Sequence, residues 1–187
     1  MATKSLQKLY IEQLQDLYDA EQQIIKALPK MISAAQSEEL RSGLSEHLEI
    51  TKTQAERIEK ICEELDQNPE NERCKGMEGV LREGSELVKK VSNEEVRDAA
   101  IIAAAQRVEH YEMAGYGTAR TYATLLGYDD AADELQKTLD EEKEADETLS
   151  GLAEKLNVEA LEEGETQQQD KGKGPRPKSG ARSKRAA

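Results

Sequence analysis

Neither tryptophan nor phenylalanine occurs in the sequence, and six tyrosines are its only aromatic residues. A core built from this chain must therefore be filled with Leu, Ile, Val, Ala and Met, the usual filling of packed helices. No run approaches the roughly 20 apolar positions that a membrane helix needs. The first residues, MATKSLQKLYIEQ, begin an amphipathic helix and lack the apolar centre of a signal peptide. A soluble, cytoplasmic protein is expected. Cysteine is scarce too: Cys62 and Cys74 form neither a disulfide framework nor a zinc motif, and they read as reduced thiols.

What the chain has in excess is charge. Acidic residues outnumber basic ones by 39 to 26, giving a net charge of −13, which opposes general nucleic-acid binding. The imbalance is uneven. Seven Lys or Arg against one Asp give residues 166–187 a charge of +6, which leaves −19 on residues 1–165. The length of 187 residues suits one domain with a real core. The expected organisation is a helical bundle over residues 1–162 and a disordered basic tail over 163–187, whose Gly-, Pro- and Lys/Arg-rich end, DKGKGPRPKSGARSKRAA, cannot bury enough apolar surface to fold.

The body reads as long helices. Leu6, Tyr10, Leu14, Leu17, Glu21, Ile24 and Leu28 recur at steps of three and four, the spacing of one helix face, within a first helix over 5–34 that Pro29 should kink near its end. Ser37 can cap a second helix, whose face carries Leu40, Leu44, His47, Thr51, Gln54, Ile58, Ile61 and Leu65. Residues 75–91 have weaker periodicity and three glycines, as in a short helix or turn-rich crossover. The capping box SNEE, with Ser92 three residues before Glu95, starts a third long helix, on which Ile101, Ala104, Val108, Glu112, Gly115, Ala119 and Tyr122 align. After LGYDD, with Asp129 or Asp130 as cap, the fourth helix aligns Leu135, Leu139, Glu142, Asp146, Leu149, Ala153 and Leu156. Short connections make two antiparallel hairpins, and residues 67–92 can cross between them, giving an all-α, two-plus-two four-helix bundle.

Three of the four stripes are interrupted by acid near their middle, and the second by His47. Sliding LYDAEQQIIKAL onto VEHYEMAGYGTA places Glu21 on Glu112, and sliding the second helix onto the fourth places His47 on Glu142 and Thr51 on Asp146. An isolated carboxylate in an apolar core must be protonated, paired or exposed. The stripes hold no Lys or Arg opposite Glu21, Glu112, Glu142 and Asp146, so these should face one another and either rise in pKa or bind metal. Two divalent ions would bring +4 against the −5 of those four plus Glu109, and His47 adds an imidazole. Hard oxygen donors with few nitrogens and no thiolate suit iron or manganese. Ferritin-like dimetal bundles take a Glu from two helices and a Glu-x-x-His pair from each of the others. The first half of that rule is met better than the second, since helix two reads SEHLEIT and helix four has no His. Glu46 or Glu49 could supply a carboxylate only if helix two rotates. Glu109, Glu46, Glu49, Glu141 and Glu144 also have a plain reading as solvated helix surface, and His110 lies one step off the stripe. Tyr18, Tyr111 and Tyr116 read as packing residues, with a hydroxyl beside a ligand carboxylate as the alternative.

LYDAEQQIIKALPKM, EHLEITKTQAERIEKI, CKGMEGV, AAAQRVEHYEMAGYGTARTYATLLG and LDEEKEADETLSGLAE, in that order across residues 5–160, resemble the YciE/YciF family of ferritin-like bacterial stress proteins. The resemblance implies a ferritin-like four-helix bundle with an extra crossover helix, a homodimer, and a dimetal site like that of rubrerythrins, with Glu109 and Glu112 as the paired glutamates of the third helix. It implies no defined reaction. The missing second histidine departs from the rubrerythrin pattern, and no rubredoxin-like cysteine pair is present to deliver electrons. Peroxide disproportionation, or metal oxidation and storage, would need none. Three expectations stand side by side: a dimetal stress protein holding two Fe or Mn ions through Glu21, His47, Glu109, Glu112, Glu142 and Asp146; a metal-free helical interaction protein; and a basic tail that contacts nucleic acid or an acidic partner or only solubilises the chain.

Overall fold

The computed structural model describes residues 5–172, with side-chain surroundings through residue 162. Five α-helices and one 3₁₀ turn account for it, with no strand among the described residues: α1 is Leu6–Ala34, α2 is Glu38–Glu64, α3 is Lys75–Lys90, α4 is Glu94–Leu126 and α5 is Asp129–Gly172, and the turn is Pro69–Asn71. Helices α1 and α2 pack as one antiparallel hairpin, and α4 and α5 as the other. Pairing of α1 with α4 and of α2 with α5 closes the bundle, and α3 lies across α4 and α1. This is the expected ferritin-like arrangement with its additional crossover helix.

Local chemistry fixes the helix ends. Ser5 caps α1 by accepting from Lys8 N at 3.2 Å, and Ser37 caps α2 by accepting from Leu40 N at 3.3 Å. Helix α1 runs through Pro29 to Ala34, the end expected from the sequence. The SNEE segment starts α4 as expected, but the cap is Asn93, whose Oδ1 accepts from Val96 N at 2.7 Å, and Ser92 lies outside the helix. Gly127 ends α4 in the left-handed conformation at φ 77°, which glycine adopts without steric cost. Asp129 and Asp130 are the first residues of α5 rather than its cap, placed where their charge complements the helix dipole. The α5 backbone continues helically to Gly172, so the boundary drawn at 162 falls inside that helix. The rest of the expected tail, 173–187, lies outside the described residues.

The core is two apolar clusters with a polar layer between them. One gathers Ile24, Leu28, Leu40, Leu44, Ile101 and Leu149 with Met77 of α3; the other gathers Tyr10, Leu14, Leu17, Ile58, Tyr116 and Leu135. Burial of each such Leu or Ile contributes about 1.5–3 kcal/mol. Buried Asp98 of α4 ties the hairpins together by accepting from Gln36 N at 2.8 Å and Ser37 N at 2.7 Å in the α1–α2 connection. Both cysteines are free and buried. Burial pushes the Cys62 thiol up to about 11, while Cys74 Sγ caps α3 by accepting from Met77 N at 3.3 Å.

Candidate metal centre

Between the two clusters every long helix turns polar at the same height. Helix α1 brings Glu21, α2 brings His47, Thr51 and Gln54, α4 brings Glu109 and Glu112, and α5 brings Glu142, all of them buried. Glu109 and Glu112, three apart, share one helix face. One ligand atom from each of His47, Glu109, Glu112 and Glu142 lies within 4.8 Å of those of the other three. His47 Nε2 stands 3.5 Å from Glu109 Oε1. Glu21 adjoins the group through Glu112, and its Oε1 accepts the hydroxyl hydrogen of Tyr116.

No Lys or Arg among the described residues is paired with these four glutamates. Burial therefore pushes the carboxyls of Glu21, Glu109 and Glu112 well above the usual range. Repulsion from Glu142 adds to this for Glu21 and a hydrogen bond with Glu142 for Glu109, while the charge of Glu21 adds to it for Glu112; the Tyr116 hydroxyl works the other way on Glu21. Burial lowers His47, against the opposing pull of Glu142, so the imidazole is neutral at pH 7. Glu21 Oε2, His47 Nε2, Glu109 Oε2, Glu112 Oε1 and Glu142 Oε2 are all buried without a hydrogen-bond partner in the protein. Buried polar atoms are ordinarily satisfied, so five orphans in one layer call for a further partner: an ion, protons or bound water.

The surrounding residues hold these groups in place. Gln54 Nε2 donates to Glu142 Oε1, leaving Oε2 free, and to Glu141 Oε2 at 3.1 Å. Glu141 in turn accepts a two-pronged bond from Arg57, at 2.5 Å from Nη1 and 2.7 Å from Nη2, and Arg57 Nη1 also reaches Thr138 Oγ1 at 3.0 Å. Thr51 spends its hydroxyl on His47 O at 2.7 Å and so stays out of the donor set.

Of the six residues predicted from sequence, the structure brings five into this layer and sets Asp146 apart. Asp146 is half-buried one turn along α5, where it accepts from Gln106 Nε2 at 3.2 Å and faces exposed His110 at 3.5 Å. Glu46, Glu49 and Glu144 are exposed, as their plain reading required, and Glu141 is neutralised by Arg57. Gln54 and Arg57 are not among the site residues expected from sequence, whereas the hydroxyl of Tyr116 takes the alternative left open for it, beside the Glu21 carboxylate. Gln54 stood on the α2 stripe as a polar position one turn beyond Thr51, and Tyr116 stands one turn beyond Glu112; each spacing was a usable signal.

A family model described as a domain of unknown function, DUF892, matches residues 5–162. Protein YciF of Escherichia coli strain K12 is 44% identical over 154 residues, covering 82% of this chain and 93% of that protein. The crystal structure of the E. coli stress protein YciF superposes with a TM-score of 0.80 at 43% identity, covering 83% of this chain and 99% of that one. The structure of YcfI from Rhodopseudomonas palustris does so with a TM-score of 0.77 at 43% identity, covering 79% and 94%. Both the family match and the close relative span most of the chain, and the protein therefore belongs to the DUF892 family, as a ferritin-like helical homologue of YciF.

Proposed function

We propose that the protein holds two divalent iron or manganese ions in the polar layer and serves peroxide or metal detoxification under stress. The observation that carries this reading is the set of five buried, unpartnered donor atoms from His47, Glu21, Glu109, Glu112 and Glu142. With Asp146 set apart, the layer contains four carboxylates, and their −4 is balanced by two ions of +2. Carboxylate oxygens with a single imidazole and no thiolate form a hard donor set, suited to iron or manganese rather than structural zinc.

Bound ions of this kind supply Lewis acidity and redox cycling for a small oxygen substrate. The chain's own residues do the rest. Neutral His47 offers Nε2 without having to lose a proton, and Gln54 holds one oxygen of Glu142 so that the other points into the layer. Tyr116 does the same for Glu21. Burial raises these carboxyls above their ordinary range and so favours their holding protons, and Glu109, which borders the cavity between α2 and α5, stands nearest to solvent for exchanging one.

Equilibration of metal-free protein with Fe(II) under anaerobic conditions, or with Mn(II), tests the reading by elemental analysis and thermal melting. Two ions per chain are expected, with a stabilisation of about 3 kcal/mol when free metal stands a hundredfold above its dissociation constant. No bound metal and an unchanged melting temperature would remove it. The alternative would then hold: a metal-free interaction protein whose buried carboxyls are partly protonated or hydrated.

A further inference from the structure

We infer that the opening between α2 and α5 is the path by which divalent cations enter the buried layer, with Gly43 keeping it open and Glu46 and Glu144 drawing cations to its mouth. The inference rests on the reading of the layer as a metal site and adds the route to it.

A cavity of about 220 Å³ lies between α2 and α5. At its inner end are His47 and Glu109. Glu109 is only 2% exposed, and its Oε2 and His47 Nε2 are two of the five unpartnered atoms, so the cavity ends on donors that lack a partner. Glu46 and Glu144 line it from exposed positions, and neither is paired with a cation among the described residues. Glu141 also lines it, but its charge is taken up by Arg57. The walls between are apolar, including Leu44 and Leu149. A passage with one sign of charge at its mouth and low-dielectric walls concentrates ions of the opposite sign.

Gly43 is the unexpected residue on this wall. Glycine inside a helix weakens it relative to alanine, yet a Cβ built at position 43 meets nothing within 4 Å. No close approach of backbone or side chain requires glycine there, unlike at Gly115, where a Cβ would come within 2.7 Å of Leu17 Cδ2. What its missing side chain provides is space in the opening. On the other side of the bundle a cavity of about 500 Å³ lies among α1, α3 and α4, but none of the unpartnered donors of the layer lines it, and Lys26, Lys30 and Lys89 border it.

Stopped-flow uptake of Mn(II) or Fe(II) by the full metal-free chain, followed by tyrosine fluorescence, tests the path. Gly43→Leu should slow both uptake and release severalfold, leaving the final metal content unchanged, because a plug in a passage alters rates and not end states. The double variant E46Q/E144Q should slow uptake by about tenfold at low salt and flatten its salt dependence; it carries the test if Gly43→Leu fails to fold. Wild-type rates in either folded variant would overturn the path while leaving the metal centre standing. A wild-type protein that takes up no metal would overturn both.

Discussion

Tyr116 donates its hydroxyl to Glu21 from the buried face of α4, and that contact is among the few that favour the charged form of any carboxyl in the layer. Tyr116→Phe should destabilise the protein by about 1–3 kcal/mol in urea unfolding and weaken metal binding on the order of tenfold, as expected when a group orienting a ligand is lost. Glu112→Gln should act with opposite signs in the two states. Without metal it relieves repulsion from Glu21 and Glu142 and raises the melting temperature; with metal it removes a donor, and the metal-induced shift disappears. Glu21, His47, Glu112 and Glu142 were legible in the sequence because each interrupts an otherwise apolar stripe. Asp146, one turn beyond Glu142, spends its carboxylate on Gln106 and His110 of α4, partners that the stripe of α5 alone does not reveal. The Arg57–Glu141 pair was not legible at all: each residue sits beside its own stripe, and only the approach of α2 to α5 brings them within reach.

Among the elements, α4 carries the most. Besides two glutamates of the layer it holds Asp98, which anchors the first hairpin, and Ala104, which receives α3. Replacing Asp98 with Ala leaves the amides of Gln36 and Ser37 without their acceptor and should cost about 2–3 kcal/mol, measured by urea unfolding with the helix content unchanged. A Cβ at Gly84 would stand 2.9 Å from Ala104 Cβ, which has no flexible end to yield. Gly84→Val should therefore lift α3 from α4 at a cost of about 1–3 kcal/mol. The helices and their pairing followed from the three-and-four spacing and from connection lengths. Their ends were less legible. In SNEE both Ser92 and Asn93 are good caps, and the choice of Asn93 depends on backbone geometry that composition does not encode. At LGYDD the left-handed Gly127 ends one helix so abruptly that the next begins at Asp129, with the acids inside its first turn.

For the molecule as a whole, the buried layer predicts an unusual pH dependence. Carboxyls that are raised in the fold above an ordinary value of 4.5 contribute stability that is complete below that pH and is lost as pH rises through their folded values. His47, lowered from 6.5, acts in the opposite direction, but only below that value. Above pH 6.5 the carboxyls alone can act, so any change in the stability of metal-free protein there, read in urea, should be a loss, and Glu112→Gln should lessen it. Metal binding requires deprotonated carboxylates, so loaded protein should instead gain stability over the same range. The most direct test is anomalous scattering from a crystal soaked in Fe(II) or Mn(II). Two peaks within coordination distance of Glu112, Glu142 and His47, between the two apolar clusters, are predicted. Carboxyls in the layer bridged only by their own hydrogen bonds, with no anomalous peak between them, would contradict the metal centre.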